Sequence, residues 1–281
     1  MSAAAPTPSP RPTDPEAAML ATRTLAQAGP TIGPFLAYVR LEVRRALRNR
    51  RYLIFTIVFP VLLYVLYTAI LDVGADATVD GLAWPVYFLV SMAAYGAIGA
   101  AMSQAVPVAT ERRQGWARQL RVTPLPGLAW VSAKVVTAIA LTVPALVLVG
   151  IAGQVVNHVD IGIGTWGLTV VAMALAAVPF AAIGLLIGYL LDAESAQGGM
   201  VLVYFTMAIL GGLFAPLQSL PDGIATIGRM LPSSHLANVG RTVVGGHLPD
   251  PVDVLVLGAW ALVVGGIAAW RYAADERSGR G

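Results

Sequence analysis

The chain has 281 residues, of which 57% are hydrophobic and only 12% are charged, and its mean hydropathy is +0.73. Because a soluble domain carries about 25% charged residues, this composition excludes an ordinary soluble protein and predicts an all-α integral membrane protein. The net charge is +3, and the absence of cysteine excludes disulfides and thiolate metal sites. The arginines cluster beside apolar stretches, so the basic charge indicates membrane topology rather than nucleic-acid binding.

The first 51 residues divide into a tail and a basic amphipathic stretch. Residues 1–34 are rich in Pro, Ala, Ser and Thr and lack the apolar core of a signal peptide, so we predict a disordered cytoplasmic tail. Residues 35–51 repeat apolar side chains at helical spacing, which predicts an amphipathic helix in the membrane interface. A plain basic flank that anchors the first span is the alternative. Six arginines occupy the remaining positions: Arg40, Arg44, Arg45, Arg48, Arg50 and Arg51.

Six apolar stretches follow, which predict a transmembrane domain over residues 52–271, since about 20 helical residues cross a membrane core. Pro60 lies inside the first stretch, where neighbouring helices can satisfy the backbone groups that it frees. Trp84 begins the second and is typical of an interfacial anchor. Lys134 lies about two turns inside the third, and we interpret its long stem as reaching the cytoplasmic surface, in preference to binding substrate. The predicted spans are residues 52–71, 84–109, 127–153, 166–191, 199–215 and 252–270.

The stretch between the second and third spans, residues 110–127, carries four arginines. One arginine at the centre of a span costs about 2.5–3.5 kcal/mol, so this stretch stays in water and its charge marks the cytoplasmic side. Trp116 and Leu120 lie near one helical face. Thr123-Pro124 ends the helix, because the backbone angles of a residue before proline are disfavoured in the α-helical region. The pattern predicts a short amphipathic helix, although an ordinary basic loop fits the charge equally well.

Residues 216–251 are too polar and too often interrupted by proline to cross the membrane, so we predict that they stay on the outer side. Ser233 or Ser234 is a candidate N-cap for a short helix that ends at Val244. Residues 272–281 form a polar cytoplasmic tail.

The distribution of arginine sets the orientation of the predicted spans. With the N-terminus inside, the stretch from Arg40 to Arg51 places six arginines on the inner side, four more lie between the second and third spans, and three follow the last span. The outside loops contain only Arg229 and Arg241. An arginine excess marks cytoplasmic loops, so both termini are predicted to be cytoplasmic. The turn at residues 192–198 is acidic and does not support this orientation.

Several kinds of chemistry are missing from the sequence. No Gly-rich phosphate-binding motif occurs, so we predict that this chain does not hydrolyse ATP and binds no cofactor itself. No Asp, Glu, Arg or His lies well inside a predicted span, whereas proton-coupled transporters need such relays. His158, His235 and His247 have no metal-ligand spacing and are interpreted as ordinary loop histidines. We therefore predict neither a catalytic site nor a metal site.

Small and polar residues in the spans suggest how the helices contact one another. Gly184 and Gly188 form a GxxxG pattern, and Ala93, Ala97 and Ala101 form a small-residue stripe; we predict that both pack within the chain rather than at a dimer seam. A substrate path would use uncharged side chains, which favours an amphipathic or hydrophobic cargo, although the same groups could simply bond across helices. The path candidates are Tyr87, Tyr95, Ser103, Gln104, Tyr204 and Thr206.

The central stretch resembles the cytoplasmic segment of ABC-2 type transporter permeases, in which Glu-Arg-x-x-Gly leads through Leu to Thr-Pro-Leu. The sequence departs from that pattern at Arg113 and Gln114, where the family often has a second acid, and at Trp116, where a small or hydroxyl residue is common. The matching residues are Glu111, Arg112, Gly115, Leu120, Thr123, Pro124 and Leu125.

The resemblance implies a six-span ABC-2 (type V exporter-like) architecture with an N-terminal interfacial helix and an outer re-entrant segment at residues 216–251. It also implies a separate ABC ATPase, which would supply ATP and Mg, and a second permease copy, a homodimer in preference to a heterodimer. The expected location is a bacterial cell membrane, and membrane lipid is an expected contact partner. The implied coupling residues are Glu111, Arg112, Gly115, Trp116, Leu120, Thr123 and Pro124.

The expected function is that of a permease subunit that exports a drug, an antibiotic or a lipid-like cargo. The alternative is a non-transporting membrane scaffold or sensor that uses the same segment to hold a soluble partner. Stimulation of a partner's ATP hydrolysis by cargo would separate these two functions.

Overall fold

The computed structural model describes residues 32–70, 77–114 and 127–278, and these residues are almost entirely helical. The strands among these residues form a two-stranded antiparallel ribbon of β1 (Thr78–Val79) and β2 (Leu82–Ala83), and short turns connect the helices. In chain order the helices are α1 Ile32–Leu47, α2 Arg50–Leu53, α3 Phe59–Ile70, α4 Trp84–Met102, α5 Ala105–Arg113, α6 Gly127–Asn157, α7 Ile163–Ala176, α8 Val178–Leu190, α9 Ala193–Leu210, α10 Asp222–Gly228, α11 Pro232–Val244 and α12 Pro251–Ser278.

Five helical stretches among the described residues are long and apolar enough to cross a membrane, and they correspond to the second to sixth predicted spans. The apolar helix at the first predicted span, Thr56–Ile70, is shorter, so the count of six remains a prediction. Helix α1 overlaps the amphipathic helix predicted over residues 35–51, but it begins at Ile32 and ends at Leu47, and its position in a membrane interface remains a prediction. The five stretches are Trp84–Arg113, Val131–Asn157, Ile163–Leu190, Ala193–Leu210 and Pro251–Arg271.

The first apolar stretch contains a π-helix, Ile54–Val58, which ends two residues before Pro60. Proline has no N–H, and its ring clashes with the carbonyl four residues earlier, which here belongs to Thr56. A wider π turn relieves that clash. The displaced carbonyl approaches Gly96 of α4 so closely that a β-carbon there would lie 2.9 Å from the Thr56 oxygen. A glycine at this position therefore lets the two helices meet.

The second span is bent at Ser103 and Gln104, which separate α4 from α5. Pro107 cannot donate to the Ser103 carbonyl, so the regular pattern of hydrogen bonds fails at this point. The Ser103 N–H instead donates to the carbonyl of Ala100 at 3.2 Å, one residue closer than in an α-helix. The span continues to Arg113, four residues beyond its predicted end.

The bend in the second span packs against the GxxxG pattern of α8. A β-carbon at Gly184 would lie 2.8 Å from the Met102 carbonyl oxygen, and one at Gly188 would lie 2.6 Å from that of Ala105. The predicted packing of this pattern within the chain is thus confirmed. The alanine stripe of the second span is also buried within the chain.

Helix α4 forms the centre of the bundle, since every residue from Tyr87 to Met102 is buried. A helix that is apolar on all sides must be surrounded by other helices, and here α3, α6, α8 and α11 surround it. The interface anchor predicted at Trp84 is wrong. Its ring is buried and stacks on Phe88 with a centroid distance of 5.6 Å, because the ribbon and the neighbouring helices cover the start of α4.

The proline-rich stretch at residues 216–251 forms a short 3₁₀ turn, Leu217–Ser219, followed by α10 and α11. The predicted serine N-cap of α11 is wrong. The helix begins at Pro232, a residue that needs no hydrogen-bond acceptor for its nitrogen. The hydroxyls of Ser233 and Ser234 instead donate to the carbonyls of Met207 and Gly228, at 2.7 and 2.8 Å. These bonds fix α11 to α9 and α10.

Candidate functional site

Three charged side chains from three helices meet where the second span ends. The Lys134 ammonium of α6 lies 2.9 Å from Oε2 of Glu42 in α1 and 2.7 Å from Oε1 of Glu111 in α5. Lys134 is completely buried, and both glutamates are nearly so. We call Glu42, Lys134 and Glu111 the charged triad.

The charged triad corrects the prediction for Lys134 and gives Glu111 a partner within the chain. Lys134 does not extend to the surface, because two carboxylates inside the bundle lie within reach of its ammonium. Glu111, which the family resemblance implies as a coupling residue, pairs with this lysine inside the chain. Burying a charge is tolerable only when it is paired and hydrogen-bonded, and the triad meets that condition for the lysine.

Sequence reasoning overlooked Glu42, although a signal was present. Glu42 follows Val39 by three residues, so it shares the apolar face of the basic helix α1. An acid at such a position needs a cationic partner from another element. Lys134, the sole lysine of the sequence, was the natural candidate.

The surroundings of the triad also balance its charge. Two carboxylates and one ammonium leave an excess of negative charge, and Oε2 of Glu111 is buried without a hydrogen-bond partner among the described residues. The Arg45 guanidinium lies 4.0 Å from the other oxygen of Glu42 and offsets part of the excess. The Tyr38 ring lies 5.7 Å from the lysine nitrogen, within the range of a cation–π contact.

Arg112 binds a different helix from its neighbour Glu111. Its guanidinium donates to the carbonyl of Tyr189 and, at 3.4 Å, to that of Leu191. These carbonyls lie at the C-terminal end of α8, where the helix leaves acceptors unpaired and its dipole favours a cation. Two consecutive residues therefore connect the end of α5 to α1, α6 and α8.

The rest of the predicted coupling segment lies outside the described residues. This applies to Gly115, Trp116, Leu120, Thr123 and Pro124, and to the amphipathic helix predicted over them. The description ends at Gln114 and resumes at Gly127.

Two of the predicted path residues contact each other in the core. The rings of Tyr95 and Tyr204 stack with centroids 4.4 Å apart, and the Tyr204 hydroxyl donates to the Tyr95 carbonyl at 2.9 Å. Gly99 makes room for this pair, because a β-carbon there would lie 3.0 Å from the Tyr204 ring. The alternative interpretation, bonding across helices, fits these two tyrosines.

The other path candidates are dispersed. Ser103 and Gln104 lie together at the bend of the second span, where Oγ and Oε1 are buried without hydrogen-bond partners among the described residues. Thr206 is exposed on α9. Tyr87 lies apart from them, near the start of α4, and its ring faces Arg241. The structure thus does not assemble the six candidates into one site.

Arg241 was assigned to an outside loop, and the structure instead places it against the second span. Its guanidinium carbon lies 3.9 Å from the centre of the Tyr87 ring. The two terminal nitrogens donate to Oγ of Ser91 at 2.9 Å and to Oδ1 of Asn238 at 3.0 Å. Because α11 packs along α4, an arginine late in α11 reaches residues inside the bundle.

His235 is likewise not an ordinary loop histidine. Its Nδ1 lies 2.5 Å from Oδ1 of Asp253 in α12, and its Nε2 lies 2.9 Å from the carbonyl oxygen of Arg229. The Arg229 carbonyl can only accept, so Nε2 donates to it, and when Asp253 is ionised Nδ1 donates as well, which makes the ring an imidazolium. The hydrogen bond to Asp253 raises the pKa of His235 above its ordinary value.

Comparison with known proteins identifies the family. Residues 78–270, more than half of the chain, match the family described as "ABC-2 family transporter protein". The chain belongs to the ABC-2 transporter family. This permease is also 28% identical over 223 residues to "Putative transport permease YvfS" of Bacillus subtilis (strain 168), an alignment that covers 79% of the chain and 90% of the relative. The family and the apolar helices establish a multi-pass membrane permease.

Proposed function

We propose that this permease is the membrane subunit of an ATP-driven exporter in a bacterial cell membrane. A separate ABC ATPase hydrolyses ATP with Mg, and two permease copies, as a homodimer, enclose the path. The cargo is an amphipathic or hydrophobic drug, antibiotic or lipid-like molecule that leaves the cell. The family membership supports the transport role.

The charged triad is the observation that carries the proposal. It lies at the end of the second span, where the coupling segment begins, and it joins α5 to α1 and α6 through two short ion pairs. Arg112 adds a connection to α8. A force that an ATPase applies to the coupling segment would reach these helices through buried charge pairs. Such pairs resist separation, because removing one partner leaves the other charge buried and unpaired.

The triad also gives the proposal a direct test. We would reconstitute the permease with its ATPase and measure ATP hydrolysis with and without cationic, neutral and anionic fluorescent amphipaths. The substitution Glu111→Gln should retain binding of the ATPase and lose most of the stimulation by transported amphipaths. The matched control is Glu194→Gln, which changes an exposed glutamate in the same way and should behave like the parent.

Each other outcome has a distinct meaning. Hydrolysis that no amphipath stimulates, with the ATPase still bound to the parent protein, would favour the scaffold or sensor function. Equal stimulation of the parent and the Glu111→Gln variant would refute coupling through the triad, although the permease could still transport.

A further inference from the structure

We propose that Arg241, together with Asn238 and the Tyr87 ring beneath the guanidinium, binds the anionic oxygen group of an amphipathic molecule, a carboxylate or a phosphodiester. This inference rests on the proposed function, because it assigns a charge class to the cargo or to a lipid that the permease holds. It also revises the expectation that only uncharged side chains contact the cargo.

The first argument is depth. Arg241 reaches Ser91, a fully buried residue seven positions after Trp84, at which the spanning helix Trp84–Arg113 begins. Seven residues of α-helix correspond to about 10 Å. The guanidinium therefore lies beside the span itself rather than in a loop beyond it. Charged groups at such positions are costly, and they mark ion or substrate pathways or pair with an opposite charge.

The second argument is the missing counter-charge. Within the described residues no carboxylate lies within 4.0 Å of Arg241, whose hydrogen-bond partners, Ser91 and Asn238, are neutral. Two acids lie close enough to influence it, and both have other partners. Oδ1 of Asp253 lies 2.5 Å from Nδ1 of His235, and Oδ1 of Asp80 accepts a hydrogen bond from Gln218 at 2.9 Å. Nε of Arg241 is buried and has no acceptor within the same part of the chain.

The third argument is the match between the site and an anion. A guanidinium presents its donors in a planar fork that fits the paired oxygens of a carboxylate or phosphate. The ring of Tyr87 covers one side of the guanidinium, whose carbon lies 3.9 Å from the ring centre. Arg241 and Asn238 are both partly exposed, so a ligand can approach them. The Asn238 amide directs its oxygen at the arginine and leaves its N–H donors for the same anion.

The surroundings indicate that the anion is part of an amphipathic molecule. One residue before Arg241, Gly240 packs against Val90 and the sulfur of Met173, where a β-carbon would lie 2.6 and 2.7 Å from them. The helices on both sides are apolar spans. A small hydrated anion would pair with Arg241 but would lose its hydration shell between these apolar helices. A molecule with an apolar tail offsets most of this dehydration cost, because burial of its tail among the apolar helices is favourable.

Binding can be measured without an ATPase, so the result does not depend on whether the permease transports. We would place the purified permease in nanodiscs of dioleoylphosphatidylcholine and titrate three fluorescent probes. These are an NBD-labelled dodecanoic acid, its neutral methyl ester, and an NBD-labelled phosphatidylglycerol. The acid represents a carboxylate cargo, and the phosphatidylglycerol represents a membrane lipid.

The decisive variants are Ser91→Asp and Ser91→Asn, which have the same shape and differ in charge. The aspartate places a carboxylate against the guanidinium, so it should weaken binding of the anionic probes at least tenfold relative to Ser91→Asn. Binding of the methyl ester should not change. Arg241→Gln should have the same effect, whereas Arg229→Gln, which removes an exposed arginine of the same stretch, should have none.

The results separate the two sources of the anion. A charge-dependent loss for the fatty acid alone assigns a carboxylate cargo, a loss for phosphatidylglycerol alone assigns a lipid, and a loss for both assigns a general anion site. The proposal is overturned if the Ser91→Asp and Ser91→Asn variants bind both anionic probes equally. Arg241 would then only brace α11 against α4.

Discussion

At the scale of single residues, the Lys134 ammonium neutralises two carboxylates that belong to separate helices. Replacing this lysine with methionine keeps most of its volume and leaves two buried glutamates with only the exposed Arg45, 4.0 Å from Glu42, as a nearby cation. We expect Lys134→Met to lower the free energy of unfolding by about 3–5 kcal/mol. Chemical unfolding of the purified permease in detergent would measure it.

A triple variant provides the control for that prediction. Glu42→Gln, Lys134→Met and Glu111→Gln together remove every charge of the triad, and most of the lost stability should return because no unpaired charge remains. If the lysine variant alone were as stable as the parent, the triad would not be the buried charge cluster that the distances describe.

His235 gives a residue-scale prediction about pH. Its pKa is raised from the ordinary value of 6.5, chiefly by the hydrogen bond to Asp253, and Asp250 and the Arg229 carbonyl also favour the charged form. Its contribution to stability is therefore complete below about pH 6.5 and is lost as the pH rises through the higher folded value. The thermal midpoint of the parent should exceed that of His235→Gln most at pH 6 and by less at pH 9.

The exposed His247 supplies the comparison for this pH dependence. The variant His247→Gln should differ from the parent by a small amount that does not vary between pH 6 and pH 9. A His235→Gln variant whose deficit grew toward alkaline pH would contradict the charged pair with Asp253.

At the scale of helices, the GxxxG pattern of α8 predicts where a single methyl group is not tolerated. A β-carbon at Gly184 would meet the backbone of Met102 at 2.8 Å, and backbone cannot move aside as a flexible side chain can. We expect Gly184→Ala to cost about 1–3 kcal/mol, as overpacking of a core does. Gly258, in the middle of α12, has nothing within 4 Å, so Gly258→Ala should be neutral or slightly stabilising. Chemical unfolding in detergent would give the free energy of unfolding of each variant. Equal effects of Gly184→Ala and Gly258→Ala would refute the close approach of α8 to α4.

Local sequence features were sufficient to predict the helices and insufficient to predict their junctions. Apolar length located the second to sixth spans, and proline located the breaks of residues 216–251, because both act along the chain. Pro60 and Pro107 were visible in the sequence as well, but whether a proline widens a turn or bends a span depends on the helices packed beside it.

The candidate site was predicted only in part for the same physical reason. Glu111 and Arg112 were recognised from a motif, which is a local signal. Their partners, Lys134 and the carbonyls that end α8, come from elements that only the tertiary packing brings together. Arg241 was misplaced because charge counting treats every arginine between spans as a loop residue.

At the scale of the whole molecule, the triad and the β-ribbon lie at opposite ends of one spanning helix. Lys134 joins Glu42 to Glu111 near the end of Trp84–Arg113, and at the start of that helix the backbone N–H of Trp84 donates to the carbonyl of Ala77. The chain between Glu42 and Ala77 must therefore travel the length of that helix. We expect the first apolar stretch to cross the membrane and complete six spans.

Cysteine labelling can test this topology without background, because the sequence contains no cysteine. Single cysteines at the exposed positions Arg40, Gln114 and Glu194 should react with an impermeant maleimide only from the cytoplasm, and those at Asp80 and Asp222 only from outside. Glu194 is the most demanding position, because it lies in the first turn of α9, in the acidic stretch that the arginine rule does not orient. Reaction of Arg40 and Gln114 from opposite sides would show that the first stretch does not cross. It would also contradict the triad, since both ends of the triad must lie on one side of the membrane.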